Sequence, residues 1–599
     1  MKLMTTAAAA ALCIGLFGAA GAAQAQEYQD LVVFGDSLSD NGNLALLGAA
    51  PPPPYFGGRF SDGLVWVEQL GFGPLGGYGD TTGSVDWAFG GAWTSTNPIP
   101  PPMTDQVAAY LGSGGTFGEA DLVTLWGGAN NIFNNLAPAS VSANPFLYMA
   151  AVGTGAANDI GGLVDAVADA GAGTVLVANL PQLTQTPQFS AHPAGPLADA
   201  GVNAFNAQLL TNLFAEAAAN PGTNVIHMDI YQFGQLVAED PSRFGFTNIS
   251  DTCFTGVSVC ATPETYAYWD GVHPTEAMHA LFAALATDYL YYGDLSVPTA
   301  AQGETALRHR AQATDLVFAR IGTGAFDADR TAVSIIVDGE DSNTDARGLM
   351  PEVEDRSTSF RIALDHAVSE NLILGGMFSF TSSDVEAGLQ SFDSESVGID
   401  AYLGWRSGGG LFINAQAGVG MDNYRDIERI TMVPTVVNDS TTEGATVSAK
   451  LQAGWVFDMG SVAVSPRAAI GYVDNEVEGY TEDGELVRHV IGDRSIEAIT
   501  AEASVRLEAG LGGPLSGYLE AGYRDNLEYD ASLVSAGLAN NPAMTLYNDV
   551  PEADGGMALI DAGLSADVME NLSLGVSYRG RIGDETESHM GRVSLNLRF

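Results

Sequence analysis

The sequence predicts two domains: an α/β domain with a parallel sheet flanked by helices, then a twelve-stranded antiparallel transmembrane β-barrel. Three observations predict this. The chain has 599 residues, more than one core ordinarily holds. Short apolar runs alternate with helix-like segments up to about residue 295. Beyond about residue 330 the hydrophobic period becomes two, and the chain ends on Phe599 within a strand-like segment.

The N-terminus reads as a secretory signal over residues 1–25. Lys2 supplies the positive start, an Ala-rich run with Leu12, Ile14, Leu16 and Phe17 follows, and Ala23-Gln24-Ala25 forms an A-x-A cleavage site, so that Gln26 begins the mature protein. A membrane anchor helix fits less well, because the run is short and ends in small residues.

From 26 to 295 the runs Leu31 to Phe34, Asp121 to Trp126, Thr174 to Asn179 and Asn224 to Met228 read as buried strands. Met149 to Ala170 and Ala198 to Ala219 read as helices between them, which is the pattern of a parallel sheet covered on both faces. Pro51 to Pro54 and Pro98 to Pro102 are stiff, extended loops. Residues 296–325 read as a linker and one helix, Thr305 to Arg320, with Leu307, Ala311, Leu316 and Val317 on one side.

From 326 to 599 twelve strands are expected, starting near Thr331, Thr358, Asn371, Ser396, Leu411, Gly444, Ser461, Ser495, Leu515, Gly556, Asn571 and Ser588. Leu572, Leu574, Val576 and Tyr578 alternate with Ser573, Gly575, Ser577 and Arg579, as a strand between lipid and a wet lumen requires. Short connections, such as Arg406–Gly410, alternate with long polar ones at Asp338–Ser357, Ser382–Glu395, Asp422–Glu443, Asp474–Arg494 and Arg524–Gly555. An even strand number closes the sheet and removes its edges, as lipid demands. A soluble sandwich would not explain the aromatic terminus, and a solenoid would show a fixed repeat.

The formal net charge of −49 excludes a nucleic-acid partner, since such a surface repels phosphates. With Cys13 in the signal, Cys253 and Cys260 remain and read as one disulfide in an oxidising compartment. No His/Cys cluster completes a metal site, and no metal or organic cofactor is expected.

The chemistry centres on Phe34-Gly35-Asp36-Ser37-Leu38-Ser39-Asp40-Asn41-Gly42-Asn43, which follows an apolar strand. A serine where a strand ends can present its hydroxyl at the carboxyl edge of a sheet, but needs a base to take its proton. Trp269-Asp270-Gly271-Val272-His273 supplies one: Asp270 can accept from Nδ1 of His273 and leave Nε2 facing Ser37. Oxyanion charge needs fixed donors. Asp86-Trp87-Ala88-Phe89-Gly90-Gly91-Ala92 offers glycine N–H groups, Trp126-Gly127-Gly128-Ala129-Asn130-Asn131 a side-chain amide, and Ser37 its own N–H. His192, His227 and His279 read as surface or satisfied core residues.

These segments, in this order, resemble the GDSL (SGNH) lipase and esterase family: Gly35-Asp36-Ser37-Leu38, Gly90-Gly91, Gly128-Ala129-Asn130, Asp270 to His273, and Gly57-Gly58-Arg59-Phe60-Ser61-Asp62-Gly63 before Trp66. The resemblance implies an SGNH-hydrolase-like sheet over 26–295, Ser37 as nucleophile, His273 as base and Asp270 as its orienter. It implies an oxyanion hole of Ser37 N–H, Gly91 or Gly90 N–H, and the Asn130 amide. Asn131 stands where the family often has Asp. The order of signal, passenger, short helix and barrel resembles an autotransporter, in which the passenger exits through the barrel and the helix stays in the lumen. The resemblances together imply a serine esterase or lipase displayed on a bacterial outer membrane by its own barrel. Its partners would be an ester or lipid substrate, outer-membrane lipid and the outer-membrane assembly machinery, with the chain a monomer. Rival readings are an acyltransferase or released lipolytic toxin with the same triad, and a catalytically silent surface adhesin.

Overall fold

The computed structural model describes residues 28–96, 99–321, 326–553 and 555–599. The expected signal segment 1–25, with Cys13, and Gln26 and Pro98 lie outside the described residues.

The first sheet has five parallel strands: β1 (Leu31–Gly35), β2 (Val85–Asp86), β3 (Leu122–Trp126), β4 (Thr174–Ala178) and β5 (Asn224–Met228), in the order β2-β1-β3-β4-β5. Each is buried along its length, which is why the four longer ones read as mostly apolar runs rather than alternations. Alternate residues feed two cores. Val32, Phe34, Val123, Leu125, Val175 and Val177 pack under the helices Pro145–Asp169 and Gly195–Ala219. Leu31, Val33, Leu122, Leu176 and Ile226 face the helix Glu276–Leu290.

That last helix is buried on nearly every side, and its second face meets the mouth of the barrel. Val433, Val436, Leu486, Val487, Ile491, Ala536 and Leu538, all from the barrel's connecting segments, belong to the same hydrophobic cluster as Phe282, Leu285 and Tyr289. Some of these segments form a small sheet of their own from Tyr480–Thr481, His489–Ile491, Val534–Leu538 and Leu546–Asn548. Fully burying one such side chain contributes roughly 1.5–3 kcal/mol, so the barrel mouth is part of the first domain's core.

The barrel has twelve long strands, starting at Thr331, Val353, Leu372, Gln390, Leu411, Val437, Val462, Arg494, Leu515, Gly556, Leu572 and Thr586. It closes where the last strand pairs antiparallel with the first, Leu597 opposite Val333. Leu574, Val576, Tyr578 and Val593 point outward and Ser573 inward, as the alternation predicts.

Two expectations are corrected. Ser382–Glu395 is not a long loop: its strands stay paired through Ala387 and Gln390 and turn at Gly388, which adopts φ +61°. The strands expected at Thr358, Ser396 and Gly444 likewise begin earlier, at Val353, Gln390 and Val437. Polar residues mark where lipid ends, but a ladder continues into water as long as its backbone groups pair. The helix in the lumen, Ala301–Arg320, is also not one-sided: Gln302, His309, Arg310, Gln312 and Asp315 are as buried as Leu316 and Val317, while Leu307 and Ala311 are more open. A polar barrel wall surrounds it, so burial does not follow apolarity there.

Candidate active site

Ser37 lies two residues beyond β1, at the carboxyl edge of the sheet, where open α/β sheets bind their ligands. Gln106 fixes the strand end, accepting from Gly35 N–H at 3.0 Å and donating to Gly35 O at 2.9 Å. Asp40 then closes the turn: its carboxylate accepts the N–H groups of Gly42 (2.8 Å), Asn43 (2.5 Å) and, across the site, Gly90 (2.7 Å).

The Asp270–His273 turn enters from the other end of the domain. Thr275 caps the helix Glu276–Leu290 behind it by accepting from Met278 N–H at 3.4 Å. His273 Nε2 lies 2.9 Å from Ser37 Oγ, and Nδ1 lies 2.7 Å from Asp270 Oδ2. Asp270 Oδ1 accepts the N–H groups of Val272 and His273 at 2.9 and 2.8 Å. Burial alone would raise the Asp270 carboxyl, but the His273 hydrogen bond and charge, the Tyr55 hydroxyl and the Val272 N–H outweigh it and bring it to about 2. Asp270 is therefore ionised and accepts from His273 Nδ1, which leaves Nε2 to accept from the Ser37 hydroxyl.

The groups expected to hold an oxyanion are unequal. The N–H of Gly90 is committed to Asp40, and a Cβ there would sit 2.1 Å from the Phe60 ring. Gly91 adopts φ +82°, a left-handed backbone that favours glycine, and among the described residues no acceptor takes its N–H or that of Ser37. Asn130 Nδ2 donates to Ala92 O at 3.1 Å and to Asp36 Oδ2 at 3.2 Å. Asp36 is fully buried, which lifts its carboxyl to about 6 against the pull of the Leu38 N–H, His273 and Asn130.

Asn131 suits its place. Its Oδ1 accepts from Thr94 N–H and its Nδ2 donates to Thr94 Oγ1, both at 3.0 Å, while the Thr94 hydroxyl donates to Asp159 at 2.6 Å. Since that hydroxyl proton is already given away, Thr94 needs a donor, which a carboxylate at 131 would not provide.

The Gly57–Gly63 segment closes the far side. Phe60 lies against the His273 ring at 4.8 Å, and Ser61 donates to Pro274 O at 3.1 Å. Cys253 and Cys260 form a disulfide. His279, held near 3 by burial, accepts from Trp66 N–H at 3.3 Å, and burial also lowers His227; neither reaches Ser37. His192 caps a turn through Ala194 N–H at 3.1 Å. Among the described residues no group of His, Cys, Asp and Glu is arranged to hold a metal. Sequence reasoning missed the roles of Asp40 and Asp86, although they lie in the serine and glycine segments themselves; Asp86 is buried and accepts from Asn41 N–H at 2.9 Å and Ala88 N–H at 2.8 Å. It also missed Tyr55, for which only the neighbouring proline run was a signal.

The family model GDSL-like Lipase/Acylhydrolase matches residues 31–286, and Autotransporter beta-domain matches residues 335–579. Over 323 residues the chain is 27% identical to the phosphatidylcholine-sterol acyltransferase of Aeromonas hydrophila, spanning 44% of this chain and 90% of that protein. Over 291 residues it is 29% identical to the thermolabile hemolysin of Vibrio parahaemolyticus, spanning 44% of this chain and 64% of that one. Among solved structures it is similar to the translocator domain of the autotransporter NalP from Neisseria meningitidis, with a TM-score of 0.42 and 14% identity over 51% of this chain and 99% of that one. The chain thus carries a GDSL-like lipase/acylhydrolase domain over residues 31–286 and an autotransporter β-domain over residues 335–579, which locates it in the outer membrane with its N-terminal domain exposed.

Proposed function

We propose that this protein is a serine esterase or lipase, carried to the cell surface by its own barrel, that hydrolyses carboxylic esters through an acyl-serine intermediate. The observation that carries this reading is the continuous line Asp270 Oδ2, His273, Ser37 Oγ, with gaps of 2.7 and 2.9 Å. Ser37 Oγ attacks the ester carbonyl carbon while its proton passes to His273 Nε2. Asp270 holds the ring by Nδ1 and stabilises the imidazolium. The N–H groups of Ser37 and Gly91 take the oxyanion, joined by the Asn130 amide as it turns from Asp36. Each such donor contributes roughly 3–4 kcal/mol to the transition state. His273 then protonates the leaving alcohol, the C–O bond breaks, and water repeats the attack with the same base to release the acid and free Ser37.

The test is whole-cell turnover of p-nitrophenyl esters by wild type and Ser37→Ala at equal surface display. Turnover by the variant should fall by about four orders of magnitude or more, to background. Equal turnover would refute the assignment.

Acyl transfer to an alcohol is the second reading, supported by the likeness to an acyltransferase over 90% of that protein's length. It uses the same acyl-serine with an alcohol in place of water. Product analysis with added glycerol separates the two: a transesterified product at the expense of free acid supports transfer.

A further inference from the structure

Tyr55 lies in the loop after the first proline run, far in sequence from the Asp270–His273 turn, yet its hydroxyl donates to Asp270 Oδ2 at 2.7 Å. That is the same oxygen that takes His273 Nδ1, also at 2.7 Å. The other oxygen is filled by the N–H groups of Val272 and His273. The carboxylate therefore has four donors. Three belong to its own turn and move with it; Tyr55 comes from elsewhere in the fold, 215 residues away.

The Tyr55 ring is itself braced. It meets Phe60, Phe254 and Trp269 edge-on, at centroid distances of 6.2, 5.6 and 6.2 Å. Phe254 belongs to the loop closed by Cys253 and Cys260 and stacks on Trp269 at 5.6 Å. Phe60 lies against the His273 imidazole. One aromatic group, drawn from three loops, thus holds both the carboxylate and the imidazole.

The geometry points to Tyr55 as a positioning residue that fixes the rotation of the Asp270 carboxylate and takes up part of its charge. This rests on the ester-hydrolase reading above and adds a residue to it. Without the hydroxyl, the carboxylate loses its one donor from outside its own turn, and the charge that donor took up falls on His273 Nδ1–H. The imidazole then holds its proton to higher pH, and less of it is free to act as base.

The test uses the full chain in outer membranes, with active sites counted by fluorophosphonate labelling. Tyr55→Phe keeps the ring and removes the donor. Its kcat should fall about tenfold, the scale of one hydrogen bond to a charged group. KM should stay within about twofold, and the acid limb of the kcat/KM profile should rise by about half a pH unit. Phe254→Leu loosens the ring but leaves the hydroxyl, so it should lower activity without that shift of the limb. A Tyr55→Phe enzyme with kcat within about twofold of wild type and an unmoved acid limb would overturn the proposal. Ser37→Ala, run alongside, separates the two failures. If it is inactive while Tyr55→Phe behaves as wild type, only the role of Tyr55 falls; if Ser37→Ala still turns over, the hydrolase reading falls and the Tyr55 role with it.

Discussion

Two buried aspartates hold the two junctions of this molecule, and they are treated in opposite ways. Asp315, on the helix in the barrel lumen, meets Lys450, Arg524, Arg581 and Arg579 at 2.5, 2.7, 2.9 and 3.2 Å. Asp288, on the helix between the first domain and the barrel mouth, meets one guanidinium, Arg429, and only at 3.7 Å. The rest of its compensation is two backbone N–H groups, Met432 at 2.9 Å and Val433 at 3.4 Å. Arg429 spends its best geometry on Glu482, in two bonds of 2.7 Å. A buried charge is tolerable only when its partners replace the lost water. The lumen supplies a surplus of such partners at Asp315, and the domain junction supplies barely enough at Asp288. The first is a fixed anchor for the helix; the second is a contact whose strength depends on protonation.

The largest effect should come from breaking the anchor. Asp315→Ala leaves four cations facing one another across the lumen, with Glu502 the carboxylate still shared by Lys450 and Arg524. Removing one partner of a buried ion cluster costs roughly 3–5 kcal/mol. The barrel should lose its heat-modifiable gel shift at a clearly lower temperature than wild type. An unchanged transition would mean that the lumen hydrates these cations and that the anchor is not needed.

A smaller and differently placed loss is expected at the mouth. Arg429→Met keeps the buried stem but strands Glu482 and Asp288 together, two carboxylates in an apolar seam beside Val487 and Leu486. About 3 kcal/mol should be lost from the docking of the first domain. The ester turnover proposed for the surface domain should then be lost at lower temperature while the barrel's own gel shift stays put. If both transitions move together, the junction and the barrel unfold as one unit and the mouth is not a separate contact.

Much of this division was legible in the sequence, because each half obeys a different period. The buried strands Leu31–Gly35 and Thr174–Ala178 are continuous apolar runs, and Leu572 to Tyr578 alternate; neither pattern depends on distant residues. Ser37, Asp270 and His273 were legible because the chemistry of a serine nucleophile demands those residue types, and the structure brings them together. What was illegible shares one property: it is set by partners far along the chain. Nothing near Tyr55 announces a bond to Asp270. Nothing in the 276–290 helix announces that Val433, Leu486 and Leu538 cover its outer face. A soluble domain and a docked one call for the same apolar residues there. The commitment of Gly90 N–H to Asp40, which separates the two glycines of the pair, is likewise a matter of three dimensions.

The finest test of the comparison is Asp288→Asn, because it alters the charge and little else. Burial lifts the Asp288 carboxyl to about 6, against the pull of Arg429 and the Met432 and Val433 N–H groups. A carboxyl raised above its unfolded value of 3.8 binds its proton more tightly in the folded state. Its contribution to stability is therefore greatest in acid and declines as pH rises from about 4 to about 6. The neighbouring groups work the other way. His489, held near 3 by burial, and His279, also near 3, stay neutral in the fold, so each costs stability as pH falls below 6.5. Glu482, brought to about 2 by Arg429 and His489 against the effect of burial, adds a further loss once pH falls below its ordinary value of 4.5. In wild type the proton gained by Asp288 offsets part of the histidine penalty. Asp288→Asn removes that offset and leaves the amide oxygen to accept from Met432. The variant should dock at least as firmly as wild type at pH 7, within about 1 kcal/mol, and should lose more than wild type on acidification from pH 6 to 4. Thermal loss of the proposed ester turnover across that range reads both slopes. Parallel slopes would mean that Asp288 keeps its charge throughout, and that the barrel mouth compensates it as fully as the lumen compensates Asp315.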